Sequence, residues 1–406
     1  MRNTQTIKDF IEKWQNISIP CKDVIFDYMP LCKNLLYEEE EDVVAIIKIL
    51  RKNISMWAAK HSKAYKKKSP IPYFSKQDLD DKSQWYVKMP ANEAQLMTSS
   101  GSTTGFNFEY LRWDPLLDFI ECENHYDMIL DEFEVSKNPQ ILFMFKAMQG
   151  GGTKIINSTN ESKNFTEHHG KTRNAMVHYA NPRILRENNR LFFNYLFAYI
   201  QNNPIDVMLT PGSAVRSMCA EIKKYGFNGK ICKLLSNTNE YMLPEDKDFL
   251  ISNKFVDHIC DHMRCWDGGG SFFDCKYGTS HLMDNMAWTI EKNEKLIATD
   301  YFSLPSPFVN FWNGDKCEIK NKYQRCQCGR LYRPFKFLEN RPFAVKGNSI
   351  KEYREKIVAC GIDGIKQVRC ELNSFVISST RKLSEQEKQQ VKNVFTGNEV
   401  KFLVET

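Results

Sequence analysis

The run Ile205-Asp206-Val207-Met208-Leu209, followed by Pro211-Gly212-Ser213, decides how this chain folds. A short apolar run bounded by Pro-Gly-Ser reads as a buried strand that stops abruptly and opens a helix running through Tyr225-Gly226. Lys230-Ile231-Cys232-Lys233-Leu234-Leu235 repeats the strand, Pro244 to Asn253 repeats the helix, and Phe255 to Met263 is a third strand. Strands that alternate with helices form parallel sheets, because a parallel pair needs a crossover connection. On the N-terminal side Ile141-Leu142-Phe143-Met144-Phe145 offers another strand of the same kind.

Outward from this centre the texture changes. The first seventy residues read as helices, with Ile7, Phe10, Ile11 and Trp14, then Ile46, Ile47 and Leu50, at helical spacing. Pro70 and Pro72 close that region. Asn285–Ile290 and Leu296–Tyr301 read as a hairpin across a charged turn. The tail reads as helix 349–360, strands 365–372 and 374–379, helix 384–395 and strand 400–404, with Ser384 as N-cap and Glu387 at the capping-box position. The fold class is therefore α/β, a large N-terminal domain (1–339) of mixed sheets flanked by helices, plus a small α+β C-terminal domain (340–406).

Of the 406 residues, 42% are hydrophobic, enough for a full core. No apolar run is long enough to span a bilayer, and Met1-Arg2-Asn3-Thr4-Gln5 begins no signal-peptide core. A cytoplasmic location is expected, and thirteen cysteines then read as thiols or metal ligands. The net charge of +6 suits anionic substrates better than nucleic acid, which usually calls for a more basic face with interleaved aromatics.

Two groups of residues carry chemistry. Ser99-Ser100-Gly101-Ser102-Thr103-Thr104-Gly105 combines hydroxyl donors with glycines that let the backbone approach a phosphate chain. It is not a Walker A loop, since Phe106 follows where lysine is needed. Cys275 and His281, with Cys326 and Cys328 followed by Gly329, supply three thiolates and an imidazole, the donor set of a closed, structural zinc site. That site would tie the 285–301 hairpin to the sequence before residue 340. His258, Cys260 and His262 share one face of their strand and read as packing, with Cys265 just beyond.

In their order these motifs resemble the adenylate-forming, or acyl-CoA synthetase, superfamily. Its phenylacetate–CoA ligase-like branch, near coenzyme F390 synthetase and the acyl-protein synthetases, is the most similar. The resemblance rests on the phosphate loop, on Arg264-Cys265-Trp266-Asp267-Gly268-Gly269, on Phe311-Trp312-Asn313-Gly314-Asp315, and on Asn340-Arg341-Pro342-Phe343-Ala344-Val345-Lys346-Gly347. It implies ATP and Mg2+ as cofactors, a carboxylic acid substrate, and CoA, a carrier protein or an amine as acceptor. Nucleic acid and membrane are not expected partners, and a homodimer is left open. By the same resemblance Ser99 to Gly105 hold the β- and γ-phosphates and Asn237, Thr238, Asn239 and Glu240 border the adenine. Asp267 holds Mg2+, Asp315 accepts from the ribose hydroxyls, and Arg341 and Lys346 act near the hinge. Asn313-Gly314 is also a strong turn signal in its own right. The chain departs from the family at Asp267, where glutamate is usual, and at Pro342-Phe343, where the hinge usually carries two aspartates. Those departures make a nucleotide-binding scaffold without catalysis the main rival. An amide-forming ligase is a second reading within enzymes, and a zinc-stabilised nucleic-acid binder a distant one.

Overall fold

The computed structural model describes residues 4–16, 22–66, 71, 73–75, 85–89, 94–98, 109–113, 127–136, 139–144, 176–179, 189–237, 242, 244–264, 271–339, 356–357, 359–371, 374–395 and 399–404. Three helices come first: α1 (Thr4–Trp14), α2 (Lys22–Cys32) and α3 (Glu40–His61). In α3 three acids occupy the first turn and Lys60 and His61 the last, complementing the helix dipole at both ends. Ile7, Phe10, Trp14, Ile46, Ile47 and Leu50 are all buried, as their spacing predicts. Short strands β1 (Phe74–Ser75), β2 (Ala94–Thr98) and β3 (Glu109–Trp113) and helix α4 (Asp127–Glu132) follow.

The central sheet has seven strands. β4 (Gln140–Phe143), β5 (Met176–Tyr179), β6 (Val207–Thr210), β7 (Cys232–Asn237) and β8 (Val256–Arg264) pair in parallel in the order β5-β4-β6-β7-β8. β9 (Ser271–Asp274) and β10 (Ser280–Leu282) add an antiparallel edge beyond β8. The intervening helices are α5 (Asn189–Asn202), α6 (Gly212–Tyr225) and α7 (Pro244–Ser252). Side chains alternate across the pleat. Val207, Leu209 and Leu234 join the core that includes α1–α3, whereas Met208 and Leu235 join the core under α5, α6 and α7. Both faces are covered, which is why these strands read as continuous apolar runs. The strand order reverses between β4 and β6. In open sheets of this kind ligands bind outside the carboxyl ends of the strands at such a reversal.

A second sheet has the order β1-β13-β12-β11, with β16 also paired to β13. It contains β11 (Ala287–Lys292), β12 (Lys295–Asp300), β13 (Phe311–Ile319) and β16 (Phe335–Glu339), with β14 (Gln324–Arg325) and β15 (Leu331–Tyr332) forming a small separate ribbon. The β11–β12 hairpin turns at Asn293-Glu294, both in the left-handed region with φ of 52° and 63°. By contrast Asn313-Gly314 lies inside β13 and makes no turn. It sits in the irregular stretch between the registered pairs Ile297–Trp312 and Lys295–Lys316, and the ladder on either end of that stretch carries the strand through it.

The link between β12 and β13 is buried, and its carbonyls need donors. They come from aromatic residues of the N-terminal third. Trp57 Nε1 donates to Leu304 O at 3.0 Å, while Tyr65 Oη and Trp85 Nε1 donate to Pro307 O at 2.6 and 2.8 Å. Tyr28 Oη likewise donates to Asn285 O at 2.6 Å.

The tail forms its own sheet, β17 (Ile365–Glu371), β18 (Ser374–Ser379) and β19 (Glu399–Val404), with β18 central. Helix α8 (Glu385–Val394) carries the expected capping box: Ser384 Oγ accepts from Glu387 N–H at 3.2 Å and Glu387 Oε2 accepts from Ser384 N–H at 2.8 Å. Ile357, Phe375, Ile377, Val391 and Phe395 make a core of their own. No described helix is long and apolar enough to cross a membrane.

Candidate active site and metal centre

Cys275, His281, Cys326 and Cys328 come together, their ligand atoms all within 4.8 Å of one another. Two similar turns build the site. Cys275 O accepts from Gly278 N–H at 2.9 Å, and Cys326 O accepts from Gly329 N–H at 2.9 Å. Gly278 and Gly329 both have positive φ, 72° and 90°, which glycine adopts without strain. At Gly329 an added Cβ would meet the Tyr37 ring only at ordinary contact distance, 3.5 Å, so the positive φ is what calls for glycine there. The repeated Cys-x-x-Gly is a signal the sequence carried at Gly278 as well as at Gly329.

The spacing of the donors fits zinc. Tetrahedral zinc, with Zn–S near 2.3 Å and Zn–N near 2.0–2.1 Å, needs sulfurs about 3.8 Å apart and sulfur and nitrogen about 3.5 Å apart. Cys275 Sγ and Cys326 Sγ are separated by 3.8 Å, and His281 Nε2 and Cys328 Sγ by 3.5 Å. His281 is fully buried between the Phe273 and Tyr332 rings, and its Nδ1 has no hydrogen-bond partner. A hydrogen bond from the Cys275 thiol holds Cys328 well below the usual thiol range and Cys275 well above it. The four donors gather here although two of them are buried and two half-buried, an arrangement costly for thiols alone.

A buried ion pair backs the cluster. Arg330 and Glu132, 3% and 5% exposed, pair directly, and Glu132 Oε1 also accepts from Lys276 N–H at 3.2 Å. Arg330 lies over Tyr37 and Phe273. Arg325 donates to the carbonyls of Tyr37 and Glu38 at 3.2 and 2.9 Å. The centre therefore ties β9, β10 and the β14–β15 ribbon to the segment after α2, not to the 285–301 hairpin. That hairpin is fixed by Asp284 and Arg333, whose guanidinium donates to Asp284 and, at 2.7 Å, to Thr289 O beneath the Trp288 ring. The residues involved lie far apart in sequence, which is why the spacing of cysteines alone misplaced the tie.

The nucleotide-site expectations divide between described and undescribed residues. Asp315 is 4% exposed on β13, and its carbonyl accepts from Trp312 Nε1 at 3.2 Å. Asn237 is the last residue of β7, and Ser236 and Asn237 are both buried. Ser99 to Gly105, Thr238 to Glu240, Asp267, Arg341 and Lys346 lie outside the described residues, as does Cys265.

The ends of β7 and β8 carry a polar network that periodicity alone does not reveal. Ser236 Oγ meets His262 Nδ1 at 2.8 Å. Burial pushes His262 down to about 3, so its ring is neutral. Asn237 Nδ2 donates to Asp261 Oδ1 at 2.9 Å, and Lys247 of α7 pairs with Asp261 Oδ2. His258 lies against the Phe133 ring and Cys260 donates to Asp274 O at 3.3 Å, so both are packing residues, as expected. Among the described residues the only group able to hold a metal is the Cys275 cluster.

No protein-family model matches the chain, and no curated protein matches it in sequence. Solved structures do match. One is 2-hydroxyisobutyryl-CoA ligase in the postadenylation state with 2-HIB-AMP, at 12% identity and a TM-score of 0.61, covering 92% of this chain and 88% of that one. The same enzyme in an open conformation with 2-HIB-AMP and CoA matches at 10% identity and 0.57, covering 89% and 88%. The McyG A-PCP protein complexed with phenylalanyl-adenylate matches at 13% identity and 0.50, covering 78% and 63%. At such identities a likeness establishes architecture: this chain has the fold of the adenylate-forming ligases.

Proposed function

We propose that this chain is an ATP- and Mg2+-dependent ligase that activates a carboxylic acid as its acyl-adenylate. The observation that carries the reading is the coincidence of two independent lines. The fold extends over 92% of this chain and 88% of a CoA ligase solved with acyl-AMP bound, and the four sequence motifs fall in the order of the family they resemble. A carboxylate is a poor electrophile because oxide would have to leave. Attack of its oxygen on the α-phosphorus of ATP expels pyrophosphate and leaves AMP as the new leaving group. The protein's part is to neutralise the triphosphate and hold the acid in line. In this reading Ser99 to Gly105 wrap the β- and γ-phosphates, Asp267 holds Mg2+, a cation that favours carboxylate and phosphate oxygens, and Arg341 and Lys346 close on the nucleotide. Asp315 receives the ribose hydroxyls, and Asn237 to Glu240 border the base. The acceptor then attacks the acyl carbonyl and AMP departs. CoA is the first candidate, with a carrier-protein thiol or an amine beside it. The motif order favours the phenylacetate–CoA ligase-like branch.

Zinc belongs to the same proposal. Cys275, His281, Cys326 and Cys328 would fill all four positions, leaving none for water, so the ion would be structural. Its contribution is to hold the β14–β15 ribbon against the body just before the hinge residues.

A second reading has its own support. Asp267 is one methylene shorter than the usual glutamate and Pro342-Phe343 replaces two acids, which favours a nucleotide-binding scaffold. Pyrophosphate release with ATP and Mg2+, across aryl, fatty and amino acids with and without CoA, separates the two. Release that depends on one acid class supports the ligase. ATP binding without release from any acid supports the scaffold.

A further inference from the structure

We infer that Asp261, held by Lys247, is a positioning residue that fixes which end of the Asn237 amide faces the nucleotide. The inference rests on the reading of residues 236–240 as the segment that borders the base. Asn237 and Asp261 stand directly opposite each other at the carboxyl end of β7 in the parallel β7–β8 pair. Asn237 is 3% exposed, and its Nδ2 donates to Asp261 Oδ1 at 2.9 Å. A carboxylate only accepts hydrogen bonds, so the amino end of the amide must face it. The rotation of an asparagine amide is normally ambiguous. Here the chemistry of the partner removes the ambiguity.

The other carboxylate oxygen is engaged by Lys247 Nζ, which reaches across from α7. Lys247 has 31% of its side chain exposed and Asp261 19%, so this ion pair is partly shielded from solvent. With both carboxylate oxygens occupied, Asp261 is held in one orientation, and Asn237 is held by it. The carbonyl oxygen of Asn237 then faces away from Asp261, at the end of the strand that leads into residues 238–240. A fixed acceptor in that position selects a ring bearing an exocyclic amine, as adenine does. It disfavours a ring that presents a carbonyl oxygen at the same place, as guanine does. Lys247 and Asp261 touch no substrate in this scheme and act only through Asn237.

The test is equilibrium binding of ATP and of GTP to the full chain by calorimetry, with neither acid nor acceptor present. Asp261→Asn gives Asn237 a partner that accepts or donates equally well, so the amide loses its fixed sense. ATP affinity should fall about three- to tenfold, the range of one neutral hydrogen bond, and the preference for ATP over GTP should narrow. Lys247→Met, at the surface of α7, should narrow the preference in the same direction, and Lys247→Arg should restore it. A merely structural role would lower both affinities together and leave their ratio unchanged, and that result would overturn the inference. So would wild-type ATP affinity and an unchanged ratio in both Asp261→Asn and Lys247→Met. A wild-type chain that binds no nucleotide would instead overturn the reading of the site itself, and the inference with it.

Discussion

Replacing Cys326 by serine tests the candidate metal centre at one of its two half-buried ligands. Cys326 is half-buried in a turn, whereas Cys275 and His281 are 2% and 0% exposed, so the substitution leaves the core packing in place. Serine keeps the shape but loses the thiolate, and zinc held by two sulfurs and a nitrogen is bound far more weakly. The cost falls on what remains. His281 buries Nδ1 without a partner whether or not the ion is bound, and loss of the ion leaves its Nε2 with only the Cys328 sulfur, 3.5 Å away. At about 1–3 kcal/mol for an unsatisfied buried polar atom, the exchange of the ion for a thiol at Nε2 brings a penalty of up to about 3 kcal/mol. Thiols left facing one another add to it. The assay pairs metal content per chain by mass spectrometry with thermal unfolding before and after a chelator. Wild type should carry about one zinc per chain and lose several degrees of Tm on stripping, with recovery on adding zinc back. Cys326→Ser should carry little zinc and unfold like the stripped wild type, with no response to chelator. Full zinc content in Cys326→Ser, or wild type that holds none after growth in zinc-replete medium, would refute the assignment.

Other outcomes follow from the same geometry. Asp315→Ala should weaken ATP binding roughly 10- to 150-fold, the range for charge-assisted hydrogen bonds, while circular dichroism stays unchanged; unchanged affinity would remove Asp315 from the ribose site. Arg333→Met leaves the Asp284 carboxylate, 1% exposed, without its cation, and should cost about 3–5 kcal/mol in denaturant unfolding. The double variant Asp284→Leu/Arg333→Met should recover much of that loss, since no charge is then stranded. His262 has its folded-state value pushed from 6.5 to about 3 by burial, so the unfolded chain takes up the proton first. Stability should therefore decline as pH falls from about 6.5 towards 3, by about 3 kcal/mol at pH 4, and His262→Gln should flatten that slope.

Much of the fold was legible because its strands are buried on both faces. Ile205 to Leu209 and Lys230 to Leu235 read as strands spaced by helices, and Ser384 with Glu387 announced the last helix. The donor set of the metal centre was legible too, since cysteine and histidine have few other reasons to recur with glycine-closed turns. What the centre holds together was not, because Glu132 and Arg330 are 198 residues apart and neither has a local signature. The Asn313-Gly314 pair misleads for the opposite reason: its local preference is strong, but the β12–β13 ladder registered before and after it carries the strand straight through. Likewise nothing in the alternation of β8 distinguishes Asp261, which orients a neighbour, from His258, which packs on a ring.

The aromatic donors of the N-terminal third that meet late-made carbonyls, Trp57, Tyr65 and Trp85 in the β12–β13 link and Tyr28 before β11, have a consequence for biosynthesis. Tyr28, Trp57, Tyr65 and Trp85 find their acceptors 257, 247, 242 and 222 residues further along the chain. At about 5–20 residues per second, the ribosome presents these side chains roughly 10–50 s before the carbonyls they serve exist. During that interval the N-terminal helices have no finished partner for their apolar faces. A holding chaperone, or a ribosome pause placed after β13 and not before it, should therefore raise the yield of active protein more than any change made within the helices themselves.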